Sequence, residues 1–116
     1  KVLELPHCPM ADGSDGPQNS GYLIDQKFFH PGDGKELTGL KVENLAVPIT
    51  GPDISMKDSF DFAIQVSAKT VIPIHYDFLG AKAEVYADFA AGRMGAKRVV
   101  FPFNLVVLAH GESIEI

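Results

Sequence analysis

The residues of this 116-residue chain with the clearest capacity for chemistry are its four histidines, at positions 7, 30, 75 and 110, and Asp33, an aspartate set between two glycines. In Phe28-Phe29-His30-Pro31-Gly32-Asp33-Gly34 the two phenylalanines favour a strand, and Pro31 ends it because proline cannot donate to a ladder. Gly32 and Gly34 permit positive φ on either side of Asp33, so the carboxylate sits on a tight, fixed turn. In Val71-Ile72-Pro73-Ile74-His75 an apolar run stops at an imidazole. An Asp-Gly turn is by itself ordinary turn chemistry, and one histidine at a strand end is equally ordinary. Two such ends, with His7 as a third candidate after Leu3-Glu4-Leu5-Pro6, make a constellation. Imidazole with carboxylate suits a divalent metal, with zinc, manganese and iron all compatible.

The order of these pieces resembles the metallo-β-lactamase superfamily, in particular its UlaG-like, general metal-dependent hydrolase branch. In that family a strand leads to a metal-binding histidine. A strand like Gly21-Tyr22-Leu23-Ile24 then pairs with one ending Phe-His-Pro-Gly-Asp, here Phe29 to Asp33, and a later strand ends Ile-Pro-Ile-His, here Ile72 to His75. The resemblance runs from about His7 to His75. It implies that Asp33 is the catalytic carboxylate bridging two metals, that His75 ligates the second metal and that His7 ligates the first. It further implies two zinc ions, or manganese or iron in their place, and hydrolysis of an ester, lactone, thioester or phosphoester by a metal-bound hydroxide. Thr50 and Gly51, beyond a strand near residues 44 to 48, would line the same pocket.

The superfamily's His-x-His-x-Asp-His signature is absent, since no two of the four histidines lie within five residues of each other. The chain therefore reads as the C-terminal half of a four-layer αββα sandwich, one α/β domain with a mixed sheet and two main helices. A start at Lys1, directly before a strand-like segment, agrees with a fragment. Such a half supplies at most three ligands split between two metals, so on its own it is expected to bind metal weakly or not at all and to be inactive. It would also leave an apolar sheet face exposed, which predicts docking to the missing N-terminal half or formation of a homodimer.

Composition bounds the alternatives. With 46% hydrophobic and 22% charged residues the chain is an ordinary globular one. Ten basic against fifteen acidic residues give a net charge of −5, without the basic patch that nucleic acid requires. A run of eighteen apolar residues and a signal peptide are both missing from the sequence, which predicts no membrane partner and a cytoplasmic location. Cys8 is the one cysteine; it excludes an internal disulfide and leaves a thiol-based enzyme without a second cysteine or a nearby acid–base partner. On an extended segment Cys8 and His7 would point to opposite faces, so Cys8 reads as a small buried residue. Neither glycine-rich phosphate-binding fingerprint is present.

The elements that position these residues follow from local pattern. Residues 9 to 19, rich in glycine, proline, aspartate and asparagine, form a loop, either a flap over the site or a plain solvent loop. Gly21 to Asp25 and Lys27 to His30 form a hairpin about Asp25-Gln26. Ser55 with Asp58 three residues on begins a helix expected over about 56 to 68, with Met56, Phe60, Ala63, Ile64 and Ser67 on its buried face. A second helix is expected over about 81 to 91, stopped by Gly92. Short strands follow at 98–101, 105–108 and 113–116. Tyr76 and Asp77 are candidates to orient a ligand or substrate, and His110 reads as a surface turn residue. The competing function is a non-enzymatic interaction domain that keeps the Asp33 turn and His75 as inherited structure and binds through its apolar sheet face.

Overall fold

The computed structural model describes residues 1–51, 53–76 and 101–116. Six strands form one sheet in sequence order: β1 (Val2–Glu4), β2 (Ser20–Ile24), β3 (Phe28–His30), β4 (Asn44–Pro48), β5 (Thr70–Ile74) and β6 (Asn104–Leu105), with helix α1 (Met56–Gln65) between β4 and β5. β1, β2 and β3 are antiparallel, whereas β3 to β6 run parallel. The sheet is thus mixed and the architecture α/β, as expected. The hairpin turns at Asp25 and Gln26, both at positive φ, with Ile24 opposite Phe28.

β4 is buried at all five positions, the continuous apolar reading of an inner parallel strand. β5 alternates between buried and half-buried. Phe29, Leu45, Val71 and Leu105 occupy one register row across β3 to β6, and all four belong to the core that also takes in Phe60, Phe62, Ala63 and Val66. Because β3, β4 and β5 are parallel, the chain leaves all three at the same edge of the sheet. That edge carries Asp33, Thr50 and His75.

The helix departs from expectation at its end and on its face. Ser55 caps it, its hydroxyl accepting from the Asp58 N–H at 3.0 Å. It stops at Gln65 rather than near 68, because Ser67 takes φ +58°. The Ser67 N–H then donates to the Ile64 carbonyl and the Ala68 N–H to the Ala63 carbonyl. This is the paired C-terminal closure usually built on glycine, so no glycine marks it in the sequence. The buried face is Ser59, Phe60, Phe62 and Ala63, while Ile64 is exposed. Ser59, wholly buried, donates to the Pro48 carbonyl at 2.5 Å and so joins the helix to the end of β4.

Among the described residues of the three terminal strands expected, Asn104–Leu105 is the paired segment. Phe101 and residues 106–108 are not strand, and residues 113–116 lie exposed without regular structure. The reason is that β6 follows β5 for two residues plus one further bond, Val106 N–H to Val71 carbonyl, after which Leu108 is held by the Tyr76 hydroxyl instead. Phe101 and Phe103 stack on each other and pack on Phe60, anchoring the segment that enters β6. The second helix and residues 98–100 fall outside the described residues. Among the described residues no helix is long and apolar enough to cross a membrane.

Phe62, 2% exposed, fills the space between helix and sheet. Phe62→Ala is expected to lower unfolding stability by about 3–5 kcal/mol, read as a shifted urea midpoint. A loss below about 1 kcal/mol would show that α1 does not close the core.

Candidate functional site

The structure brings His7, Asp33 and His75 together at the sheet edge. His7 Nε2 lies 3.2 Å from Asp33 Oδ2, and His75 Nε2 lies 3.6 Å from Asp33 Oδ1. One carboxylate thus addresses two imidazoles, one with each oxygen. His7 is mostly buried, whereas Asp33 and His75 are partly exposed, so the site opens to solvent on the His75 side.

Both rings are oriented by backbone carbonyls. His7 Nδ1 lies 2.6 Å from the Cys8 oxygen, and His75 Nδ1 lies 2.5 Å from the Thr50 oxygen. A carbonyl oxygen only accepts, so each Nδ1 carries the proton. In the neutral ring Nε2 is then a bare lone pair, and here both lone pairs face an anionic oxygen. That arrangement is repulsive unless a proton or a cation stands between. Two donors about 2.1 Å from one tetrahedral zinc lie roughly 3.4 Å apart, whereas a charge-assisted N–H···O⁻ bond is about 2.7–2.9 Å. The observed 3.2 and 3.6 Å bracket the first value and exceed the second. An imidazole that ligates by Nε2 while donating Nδ1–H to a carbonyl is also the usual supported metal ligand. The donors therefore fit divalent metal.

They fit it incompletely. Among the described residues no group of three or more His, Cys, Asp or Glu side chains could hold one ion. Each side of Asp33 offers one imidazole and one carboxylate oxygen, against the four donors of a tetrahedral zinc.

His75 itself adopts φ +64°, an uncommon conformation for a residue with a Cβ that costs about 1–3 kcal/mol and persists only when its surroundings impose it. Thr50 imposes it: the hydroxyl donates to the His75 carbonyl while the Thr50 carbonyl accepts from the His75 ring. Thr50 thus positions a ligand candidate rather than merely lining a pocket. The Asp33 turn is held by Asn19, whose Oδ1 accepts the Asp33 N–H at 3.1 Å and whose Nδ2 donates to the Pro31 carbonyl at 2.9 Å. Gly32 sits at φ +63°, and a Cβ there would lie 2.2 Å from Asn19 Oδ1. The loop of residues 9–19 does reach the site, since a Cβ on Gly16 would lie 2.3 Å from His7 Nδ1. An open groove of about 570 Å³ runs between this loop and the segment from Glu4 to His7.

Several side chains take other roles than their position suggested. Cys8 is buried as expected, but its Sγ lies 3.5 Å from His7 Nδ1 instead of on an opposite face, because regular strand geometry stops at Glu4. Burial, then the Asp33 carboxylate, push its thiol pKa up. His30 accepts the Gly32 N–H on Nδ1 at 3.1 Å and so braces the turn. Tyr76 is buried and holds the Leu108 carbonyl; Asp77 lies outside the described residues. His110, in an exposed turn, shares with His75 a groove of about 360 Å³. Asn19 had no motif to announce it, and the positioning role of Thr50, expected only to line the pocket, had none either, as both act through bonds to residues at least a dozen positions away.

No family model matches this chain, and no curated protein does. A solved structure from Thermotoga maritima, assigned as a Zn-dependent hydrolase of the metallo-β-lactamase superfamily, is similar at 28% identity and a TM-score of 0.46, over 66% of this chain. The matched region spans 41% of the length of that protein.

Two outcomes test this local structure. Gly32→Ala should destabilise the protein more than Gly39→Ala in chemical denaturation, because both glycines have positive φ but only Gly32 has a neighbour where the methyl would go; equal losses would mean that Asn19 does not occupy that space. Cys8, 2% exposed, should react with iodoacetamide at least about tenfold more slowly in the native protein than in urea at the same pH. Equal rates would contradict its burial beside His7.

Proposed function

We propose that the chain is the C-terminal part of a metal-dependent hydrolase domain of the metallo-β-lactamase type, a four-layer αββα sandwich, in which Asp33 bridges two divalent ions. His7 ligates one ion and His75 the other. The observation that carries this reading is the pair of Nε2 atoms, with ring orientation set by the Cys8 and Thr50 carbonyls, that face the two oxygens of one carboxylate.

Ions held by Asp33, His7 and His75, zinc first by donor type with manganese or iron in its place, would supply Lewis-acid chemistry that brings the ionisation of water toward neutral pH and polarises a carbonyl or phosphoryl oxygen. Asp33 fixes the separation of the two ligand pairs through its two oxygens. The carbonyls of Cys8 and Thr50 hold the imidazoles in the ligating tautomer and raise their basicity. Gly16 packs over the inner edge of the His7 ring and keeps that side closed. No side chain of this chain is the nucleophile on this reading. The substrate is an ester, lactone, thioester or phosphoester.

Two donors per ion are too few, so the described residues alone bind metal weakly and do not turn over substrate. The other ligands come from a histidine cluster on the N-terminal half of the domain. Val2, Tyr22 and Ile24, on one face of the β1–β2 pair and more than half exposed, offer apolar surface for that half, or for a second copy of the chain. The same strip is what favours the interaction-domain reading.

Elemental analysis separates the two. Protein purified without chelator and combined with its N-terminal half is expected to hold two ions per complex, with Asp33→Ala losing at least one of them. A complex that assembles but contains no metal would overturn the bridging role of Asp33 and leave the interaction domain standing.

A further inference from the structure

Asn19 stands outside every segment that the chemistry singles out, yet its amide touches two of the three segments that carry ligand candidates. Nδ2 donates to the Pro31 carbonyl at 2.9 Å and to the Leu5 carbonyl at 3.4 Å, and Oδ1 accepts the Asp33 N–H at 3.1 Å. Leu5 lies two residues before His7; Pro31 lies two before Asp33. One planar amide therefore sets the distance between the segment that carries His7 and the turn that carries Asp33. A second link runs alongside it, from the Cys8 N–H to the Asp33 carbonyl at 3.0 Å.

The glycines on both sides of Asp33 report on the same amide. A Cβ on Gly32 would fall 2.2 Å from Asn19 Oδ1, and a Cβ on Gly34 would fall 2.9 Å from Asn19 Nδ2 and 2.6 Å from a Leu5 methyl. Gly32 has positive φ; Gly34 does not. Backbone conformation thus accounts for one glycine, and the place taken by Asn19 and Leu5 accounts for the other. The Gly-Asp-Gly turn is shaped around the asparagine.

We propose that Asn19 is a positioning residue for the metal site, setting the Asp33 carboxylate at the distance from His7 Nε2 that one ion can span. This rests on the metal-site reading above. The specific geometry at stake is the 3.2 Å separation of His7 Nε2 and Asp33 Oδ2. Removing the amide leaves both ligands in the chain but frees the turn to shift, which changes metal affinity beyond any change in stability.

The test measures Zn²⁺ affinity by competition with a chromophoric chelator, together with thermal unfolding, for the chain combined with its N-terminal half and for the same complex carrying each of three variants. Asn19→Ala removes all three bonds. Asn19→Asp has nearly the same shape and keeps the acceptor for the Asp33 N–H, but turns oxygen toward the Leu5 and Pro31 carbonyls, so it keeps the assignment testable should the alanine variant fail to fold. Asn44→Ala is the control: its amide bridges to the Lys27 carbonyl at 2.9 Å at the opposite end of β4. Both Asn19 variants should lose about 10- to 100-fold in Zn²⁺ affinity, the range for groups that orient a ligand, whereas Asn44→Ala should lose stability with its affinity unchanged. Unchanged affinity in a folded Asn19 variant, or an equal loss in Asn44→Ala, overturns the assignment while the metal site stands. A wild-type complex that assembles but takes up no Zn²⁺ overturns the metal site itself, and this assignment with it.

Discussion

The geometry of the site depends on a single carboxylate placed between two imidazoles whose Nε2 atoms face it. With each Nδ1 turned to a carbonyl, a proton or a cation must stand between Nε2 and an ionised carboxylate oxygen. The groups that assemble this arrangement stand outside it: the carbonyls of Cys8 and Thr50 turn the rings, the Cys8 N–H holds the Asp33 carbonyl, and the Asp33 N–H is held by the Asn19 side chain.

The sheet makes this assembly possible by sending parallel strands to one edge. β3, β4 and β5 leave the sheet at the same end, so Asp33, Thr50 and His75 converge although 42 positions separate the first from the last. Behind them the fully buried β4 and the helix joined to it through Ser59 and Pro48 form a rigid base. A rigid base is what allows His75 to keep a left-handed backbone. The cost of that conformation, about 1–3 kcal/mol, is offset by two reciprocal contacts with Thr50 and by the packing of β4 against β5 behind it. Here strain, tertiary packing and candidate chemistry meet in one residue.

Much of this was legible in the sequence because it is written locally. Asn44 to Pro48 reads as a buried strand from its own apolar run, Ser55 reads as a cap from Asp58 three residues on, and Pro31 and Gly32 announce a turn under Asp33. His7 and His75 could be grouped with Asp33 from their places after apolar segments. What was not legible depends on partners distant in the chain or on backbone conformation without its usual residue. Ser67 closes the helix in a left-handed conformation that a glycine would have advertised, so the end was placed three residues late. Phe62 replaced Ile64 on the buried face because the tilt of α1 on the sheet is a tertiary property. Residues 113–116 alternate polar and apolar like a strand, but no neighbour is described beside them and they stay exposed. Asn19 fell in a segment whose composition says only loop, since side-chain bonds to Leu5, Pro31 and Asp33 leave no periodic trace.

The division between what backbone and side chains contribute also says where the site is robust. The tautomers of His7 and His75 are fixed by carbonyls that every residue type carries, so substitution of Cys8 or Thr50 would leave those acceptors in the chain. Side chains matter around the imidazoles as well, since the Thr50 hydroxyl holds the His75 carbonyl and a Cβ on Gly16 would meet the His7 ring. The position of Asp33 draws on the Cys8 N–H and the His30 ring together with the Asn19 amide, and on two neighbours whose Cβ would meet that amide. Asn19 suits its place because an amide both donates and accepts in one plane, and it lies where Cβ atoms on Gly32 and Gly34 would otherwise go.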